Sequence, residues 1–208
     1  MYKKKIKLDT RPYDDRKLYV RRSVEFDPGI TVLVGCNGTG KTTMLDYIEN
    51  SLRREGVPYL SFNNMTEGGS SIADRALFYG NVGLAATAFV SSEGERIGLA
   101  VGQFIRGIGA FVKKNRGKKE IWLLFDAMDS GWSVDNVEET KDFFKEVLLP
   151  DTKGQDVYIV ISGNQYSVAE GEECIDVQTS KHIRFQSYDD YKQFVLNTRK
   201  KKDKSFED

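Results

Sequence analysis

The segment GCNGTGKT, Gly35 to Thr42, matches the spacing G-x-x-x-x-G-K-[ST]. Its residue types suit one task. Glycines let the backbone fold so that several N–H groups point inward, and the helix that follows adds the partial positive charge of its N-terminus. The result is a cradle for the phosphates of a nucleotide. Lys41 is placed to reach the β- and γ-phosphates, and the Thr42 hydroxyl to bind Mg2+. Gly35, Asn37, Gly38, Thr39, Gly40 and Thr43 supply the rest of the candidate nucleotide contacts.

A second segment, LLFDAMDSGWSVDN from 123 to 136, ends an apolar run in Asp126. A carboxylate there is the expected second magnesium contact, provided its strand neighbours the one that carries the phosphate loop. Lys41 and Asp126 are the candidate catalytic residues, and Thr42 and Asp126 the candidate metal ligands. The next side chain is the methyl of Ala127, where many nucleotide hydrolases place an acid that activates water. Losing a positioned general base costs about 10²–10⁴ in rate. Asp129, Asp135 and Glu95 are the substitutes to weigh. No guanine-reading N/TKxD segment occurs, and DTKG (151–154) follows a helix stop rather than a strand, so ATP is favoured.

These groups need a strand before the loop, a helix after it and a second strand ending at Asp126. GITVLV (29–34) leads straight into Gly35. In TTMLDYIENSLRREG, Leu45, Ile48 and Leu52 fall at helical spacing, and Gly56 with Pro58 closes the segment. EIWLLFD (120–126) is a continuous apolar run of the kind a parallel strand covered on both faces shows. VPYLSF (57–62) and VYIVI (157–161) read as further strands, and CIDV and HIRF as a hairpin around QTSK. Helices are expected from Glu95 to Gly117, over 134–149 with Pro150 as the stop, and over DDYKQFVLNTRKKK (189–202). KKKIKL and KLYVRRSVEF precede the DPGI turn and read as β-structure, whereas 63–92 has no clear period. Strands alternating with helices predict an α/β fold: a P-loop NTPase with a mainly parallel central sheet and an N-terminal antiparallel part. One domain, 1–208, with a basic tail at 199–208 accommodates all of it.

The balance of 31 Lys plus Arg against 31 Asp plus Glu excludes a whole-surface basic field for nucleic acid. MYKKKIK and RKKKDK are the only dense basic runs, and both read as solvated ends. Two cysteines, Cys36 and Cys174, are too few for a disulfide framework and fit a reduced, cytoplasmic setting. No apolar run approaches the roughly 20 residues of a membrane span, and no apolar segment follows the first lysines as in a signal peptide.

Three stretches together resemble the ABC-type ATPases. NGTGKTTML is similar to their phosphate loop. VSSEGERI (90–97) resembles their signature motif, in the S-x-G-E form of the ATPase heads of SMC- and RecF-like chromosome-maintenance and recombination proteins. Ser92, Gly94 and Glu95 carry that match, and DSGWS (129–133) resembles the D-loop. The order along the chain is that of the family, and the resemblance spans about residues 25 to 165. It implies ATP and Mg2+ as ligands and a homodimer formed on ATP. In that dimer Ser92 and Gly94 of one subunit would meet the γ-phosphate held by Lys41 of the other. The output would pass to nucleic acid or to a partner protein, with no membrane involved. SSEGE together with DAxDSG is also similar to small, often phage-borne, proteins of this class, which would work in the host cytoplasm. SSEGER also reads as a helix cap, with Ser91 or Ser92 as N-cap and Glu95 closing a capping box, which is compatible with the ATP contact.

The sequence departs from the family in several places. Ala127 replaces the usual Glu. The switch histidine is missing: SGNQ follows VYIVI, so Asn164 or Ser162 would contact the γ-phosphate, while His182 reads as a structural or surface residue. No Gln occurs from 43 to 91, and Asn63 or Asn64 is the nearest substitute. Only residues 43 to 90 lie between phosphate loop and signature, so coiled-coil arms are absent. Cys36 reads as inert, Trp132 as either an interface aromatic or core filler, and Tyr13 or Tyr19 as the adenine-stacking ring. Three functions follow: an ATPase head with slow or atypical hydrolysis, a non-hydrolysing ATP-gated interaction module, and, less favoured, a transporter nucleotide-binding subunit.

Overall fold

The computed structural model of the chain describes residues 3–12, 17–63, 105–130, 132–152 and 154–204. Two strands, β1 (Lys4–Lys7) and β2 (Ser23–Phe26), form an antiparallel pair. The main sheet has six: β3 (Gly29–Val34), β4 (Tyr59–Asn63), β5 (Glu120–Asp126), β6 (Asp156–Ser162), β7 (Glu173–Asp176) and β8 (Lys181–Ile183). Their order is β4-β5-β6-β3-β7-β8, and every pairing is parallel except that of β8 with β7.

The apolar run of β5 is explained by burial on both faces. Successive side chains of a strand point to opposite sides. Ile121, Leu123 and Phe125 join one core cluster with Ile159, Ile161 and Phe144. Trp122 and Leu124 join the other, with Val160, Tyr158, Ile48 and Leu52. Trp122 and Tyr158 stack there at 4.2 Å between ring centroids, nearly parallel at 7°. The helix after the phosphate loop, α1 (Lys41–Glu55), supplies Met44, Leu45, Ile48 and Leu52 to this second cluster. Each such side chain, fully buried, contributes about 1.5–3 kcal/mol. Gly56 ends α1 in the left-handed region, and its N–H closes the helix on Arg53 and Leu52 carbonyls.

Other elements differ in detail from the sequence pattern. The strand expected from Lys17 begins only at Ser23, because the preceding backbone is bonded elsewhere: Leu18 N to Thr10 O at 2.8 Å and Val20 N to Gln178 O at 2.8 Å. Of the helix expected from Glu95, residues 105–114 are described and are helical. The helix at 134 starts as α2 (Val134–Asp142), widens into a π-helical stretch (Phe143–Leu148) and ends in a short turn, Leu149–Asp151. Pro150 therefore lies inside the final segment, at its start, rather than after the helix. A short helix, α3 (Tyr166–Ala169), follows β6, and α4 (Tyr188–Lys204) closes the described chain, carrying the whole run RKKKDK in helical form. The hairpin forms as expected, with Cys174 opposite Ile183. Among the described residues no helix is long and apolar enough to cross a membrane.

Candidate functional site

β3 delivers the chain to Gly35, and the loop curls through Gly40 into α1. Gly40 has φ +93°, and a Cβ there would stand 2.5 Å from Leu18 Cδ2. Only glycine meets both demands. Inside the loop the Thr39 hydroxyl donates to Cys36 O at 2.8 Å, and from outside the Tyr19 hydroxyl donates to Gly40 O at 2.7 Å. Lys41 Nζ donates to Gly35 O at 2.9 Å and Cys36 O at 3.4 Å. Burial holds the Lys41 pKa below its ordinary value. The neighbours Cys36, Asp129 and Asp126 oppose that shift, and Lys202 adds to it.

Asp126 sits at the end of β5, but its strand is not the neighbour of β3, as the sequence reading required; β6 lies between them. The contact is made all the same, because the start of α1 reaches across: Thr42 Oγ1 donates to Asp126 Oδ2 at 2.9 Å. Ser162, at the end of β6, fills the gap. Its hydroxyl donates to Asp126 Oδ1 and accepts the Ala127 N–H at 2.9 Å. Asn63, at the end of β4, donates to Asp126 Oδ2 at 3.3 Å. Two strand ends and one helix start thus converge on a carboxylate at the end of a third strand. Ala127 has φ +53°, the left-handed region that non-glycine residues rarely adopt.

A cavity of about 390 Å³ opens over these groups. Asn37, Gly38, Gly40, Lys41, Thr42 and Thr43 line one side; Asp126, Ala127, Ser162 and Asn164 line the other. Gly35 and Thr39 shape the loop without lining the cavity. Among the described lining residues Leu18 is the one large apolar side chain. Tyr19, weighed above as a stacking ring, is instead fully buried, edge-on to Tyr47. Its neighbour Leu18, half-buried, lines the cavity instead.

The two described candidate bases, Asp129 and Asp135, do not line the cavity. Asp129 is buried, and its Oδ2 accepts the backbone N–H groups of Asn164 and Gln165, each at 2.6 Å. Asp135 stands exposed on the first turn of α2, where a hydrogen bond with Ser133 holds its carboxyl below the usual range. Glu95, Ser92, Gly94, Ser91, Asn64 and Tyr13 lie outside the described residues. Ser162 lines the cavity, but its hydroxyl proton is directed to Asp126. Trp132 belongs to the core. Cys36 is buried, with its thiol 3.7 Å from Asn37 O. His182 bridges Glu173 Oε1 and Glu25 O, each at 3.0 Å, on the surface of the hairpin.

Two features escaped the sequence reading. The sequence marks Ser162 as a phosphate contact; its place after VYIVI, like that of Asp126 after IWLLF, is the signal for its role beside Asp126. Lys202 donates to Asn37 O at 2.7 Å, so one lysine of the basic run is engaged, while Arg199, Lys200 and Lys201 stay exposed. No sequence pattern announces that contact. Among the described residues no cluster of His, Cys, Asp and Glu could hold a metal alone. Magnesium in nucleotide sites takes one or two protein oxygens plus phosphates, and the Thr42–Asp126 pair fits that need.

A family model described as an AAA domain matches residues 11–208. No curated protein matches the chain.

Proposed function

The chain belongs to the AAA domain family of P-loop ATPases, and from that premise we propose that it is an ABC-type head that binds Mg-ATP, dimerises on it and signals to nucleic acid or a partner protein. The observation that carries the nucleotide part is the convergence of Thr42, Ser162 and Asn63 on Asp126 beside a lysine held over the loop. Two hard oxygen donors 2.9 Å apart, at the mouth of a glycine cradle, suit Mg-triphosphate. Bound magnesium supplies charge neutralisation at the phosphates. The chain's own residues do the rest. Lys41 exchanges loop carbonyls for phosphate oxygens, Ser162 and Asn63 fix the Asp126 carboxylate, and Leu18 offers an apolar surface for the base.

Turnover is slow in this reading, because Asp126 is the only carboxylate among the described residues lining the cavity. A faster reaction requires a base from outside them, with Glu95 of a second copy as the candidate. A second reading, an ATP clamp that does not hydrolyse, is favoured by the Ala127 methyl at the cavity wall and by Asp129 facing backbone amides.

Light scattering with Mg-ATP and with Mg-ADP tests the proposal, with titration calorimetry alongside. A dimer formed only with ATP supports it. Binding without a change in mass removes the head-to-tail dimer, and absence of binding removes the nucleotide reading. ATP recovered intact after long incubation selects the clamp.

A further inference from the structure

The end of α4 touches the outside of the phosphate loop. Lys202 Nζ donates to Asn37 O at 2.7 Å, and a Cβ on Gly38 would stand 3.0 Å from the same ammonium. Lys202 itself does not line the cavity, whereas Asn37 and Gly38 do. A trans peptide is planar, and its C=O and N–H point to opposite sides. An ammonium that holds the Asn37 carbonyl on one side therefore leaves the Gly38 N–H on the opposite side of the peptide, the side free for an anion. Gly38 adopts φ +77°, a conformation that leaves room for the lysine and that other residues resist. The Lys202 charge is also felt at Lys41, so it adds to the positive field seen by an anion in the cradle.

We propose that Lys202 is a positioning residue of the nucleotide site. It aims the Asn37–Gly38 peptide at the phosphates and couples the C-terminal helix to ATP. The proposal rests on the nucleotide reading above. Coupling of this kind is reciprocal: if Lys202 strengthens phosphate binding, bound ATP strengthens the hold on α4 by the same factor.

The test uses the full chain with Lys202→Met, which keeps the stem and removes the charge, and Lys202→Arg, which keeps the charge. MgATP affinity is measured by calorimetry, and amide exchange of residues 196–204 with and without MgATP. Lys202→Met is expected to weaken MgATP binding about three- to tenfold, the scale of one part-exposed charge-assisted contact, and Lys202→Arg to stay within about twofold of the parent. MgATP should slow exchange at the end of α4 in the parent and not in Lys202→Met. Unchanged affinity in Lys202→Met, equal losses in both variants, or no protection of α4 in the parent would each overturn the proposal. A parent chain that binds no MgATP would overturn the nucleotide reading itself, and this inference with it.

Discussion

Asp129 offers a clean separation between a structural acid and a catalytic one. One of its oxygens accepts two backbone N–H groups at 2.6 Å, from Asn164 and Gln165, and the residue is 6% exposed. Hydrogen bonds to a charged group contribute about 1.5–3 kcal/mol each. Asp129→Ala removes both and leaves two donors without an acceptor. Since Asn164 and Gln165 are exposed, water recovers part of the loss, and about 3 kcal/mol is expected. Asn at this position keeps an amide oxygen as acceptor and loses only the charge, so Asp129→Asn should cost about 1 kcal/mol. With a urea m-value near 2 kcal/mol/M, the midpoints should fall by about 1.5 M and 0.5 M. Urea titrations followed by tryptophan fluorescence read these shifts, and ATP turnover is measured on the same samples. A general base behaves in the opposite way: Asp129→Asn would leave stability intact and cut turnover by about 10²–10⁴. That pattern, or an Asp129→Ala variant as stable as the parent, would refute the structural role.

Lys141 is 2% exposed and donates to Ser167 O at 2.7 Å, Glu170 O at 3.0 Å and Glu138 Oε1 at 3.1 Å, so Lys141→Met should destabilise by about 2–4 kcal/mol in the same titration. The companion acid, Glu172, keeps Lys145 at 2.6 Å, which limits the loss. Ala127→Gly relieves a left-handed φ of +53° and should raise stability by about 0.5–1 kcal/mol; a lower melting temperature would contradict the strain. Burial pushes the Cys174 thiol from the ordinary 9.0 up to about 12. The folded chain therefore keeps a proton that the unfolded chain releases, and the stability present below pH 9 declines between 9 and about 12, at up to about 1.4 kcal/mol per unit. Melting temperatures on either side of this window should show a steeper alkaline decline in the parent than in Cys174→Ala.

What the sequence disclosed was local. The β-branched run into Gly35, the spacing of Leu45, Ile48 and Leu52, and the seven-residue apolar strand ending at Asp126 each carry their structure in neighbouring residues. Sheet order is not local. Nothing in EIWLLFD or GITVLV says that β6 runs between them, yet that strand brings Ser162 to Asp126. The orientation of Tyr19 was hidden for a similar reason. Tyrosine has both an apolar body and a polar tip, and only the fold decides that its hydroxyl meets Gly40 O. Lys202 and Asn37 are 165 residues apart, beyond the reach of any periodicity. The π-helical stretch at Phe143–Leu148 shares its spacing of apolar residues closely enough with an α-helix to pass for one.

The Asp129 and Lys141 contacts have a joint mechanical meaning. Both join the segment after β5 to the segment after β6, at two points along their length. Sliding one past the other would break four hydrogen bonds together, from Asn164 N and Gln165 N to Asp129 and from Lys141 to Ser167 O and Glu170 O. Cooperative units of this sort open as a whole. The wall of the cavity that carries Asp126, Ala127 and Asn164 is thereby tied at two points, and a label on either loop should report the movement of both.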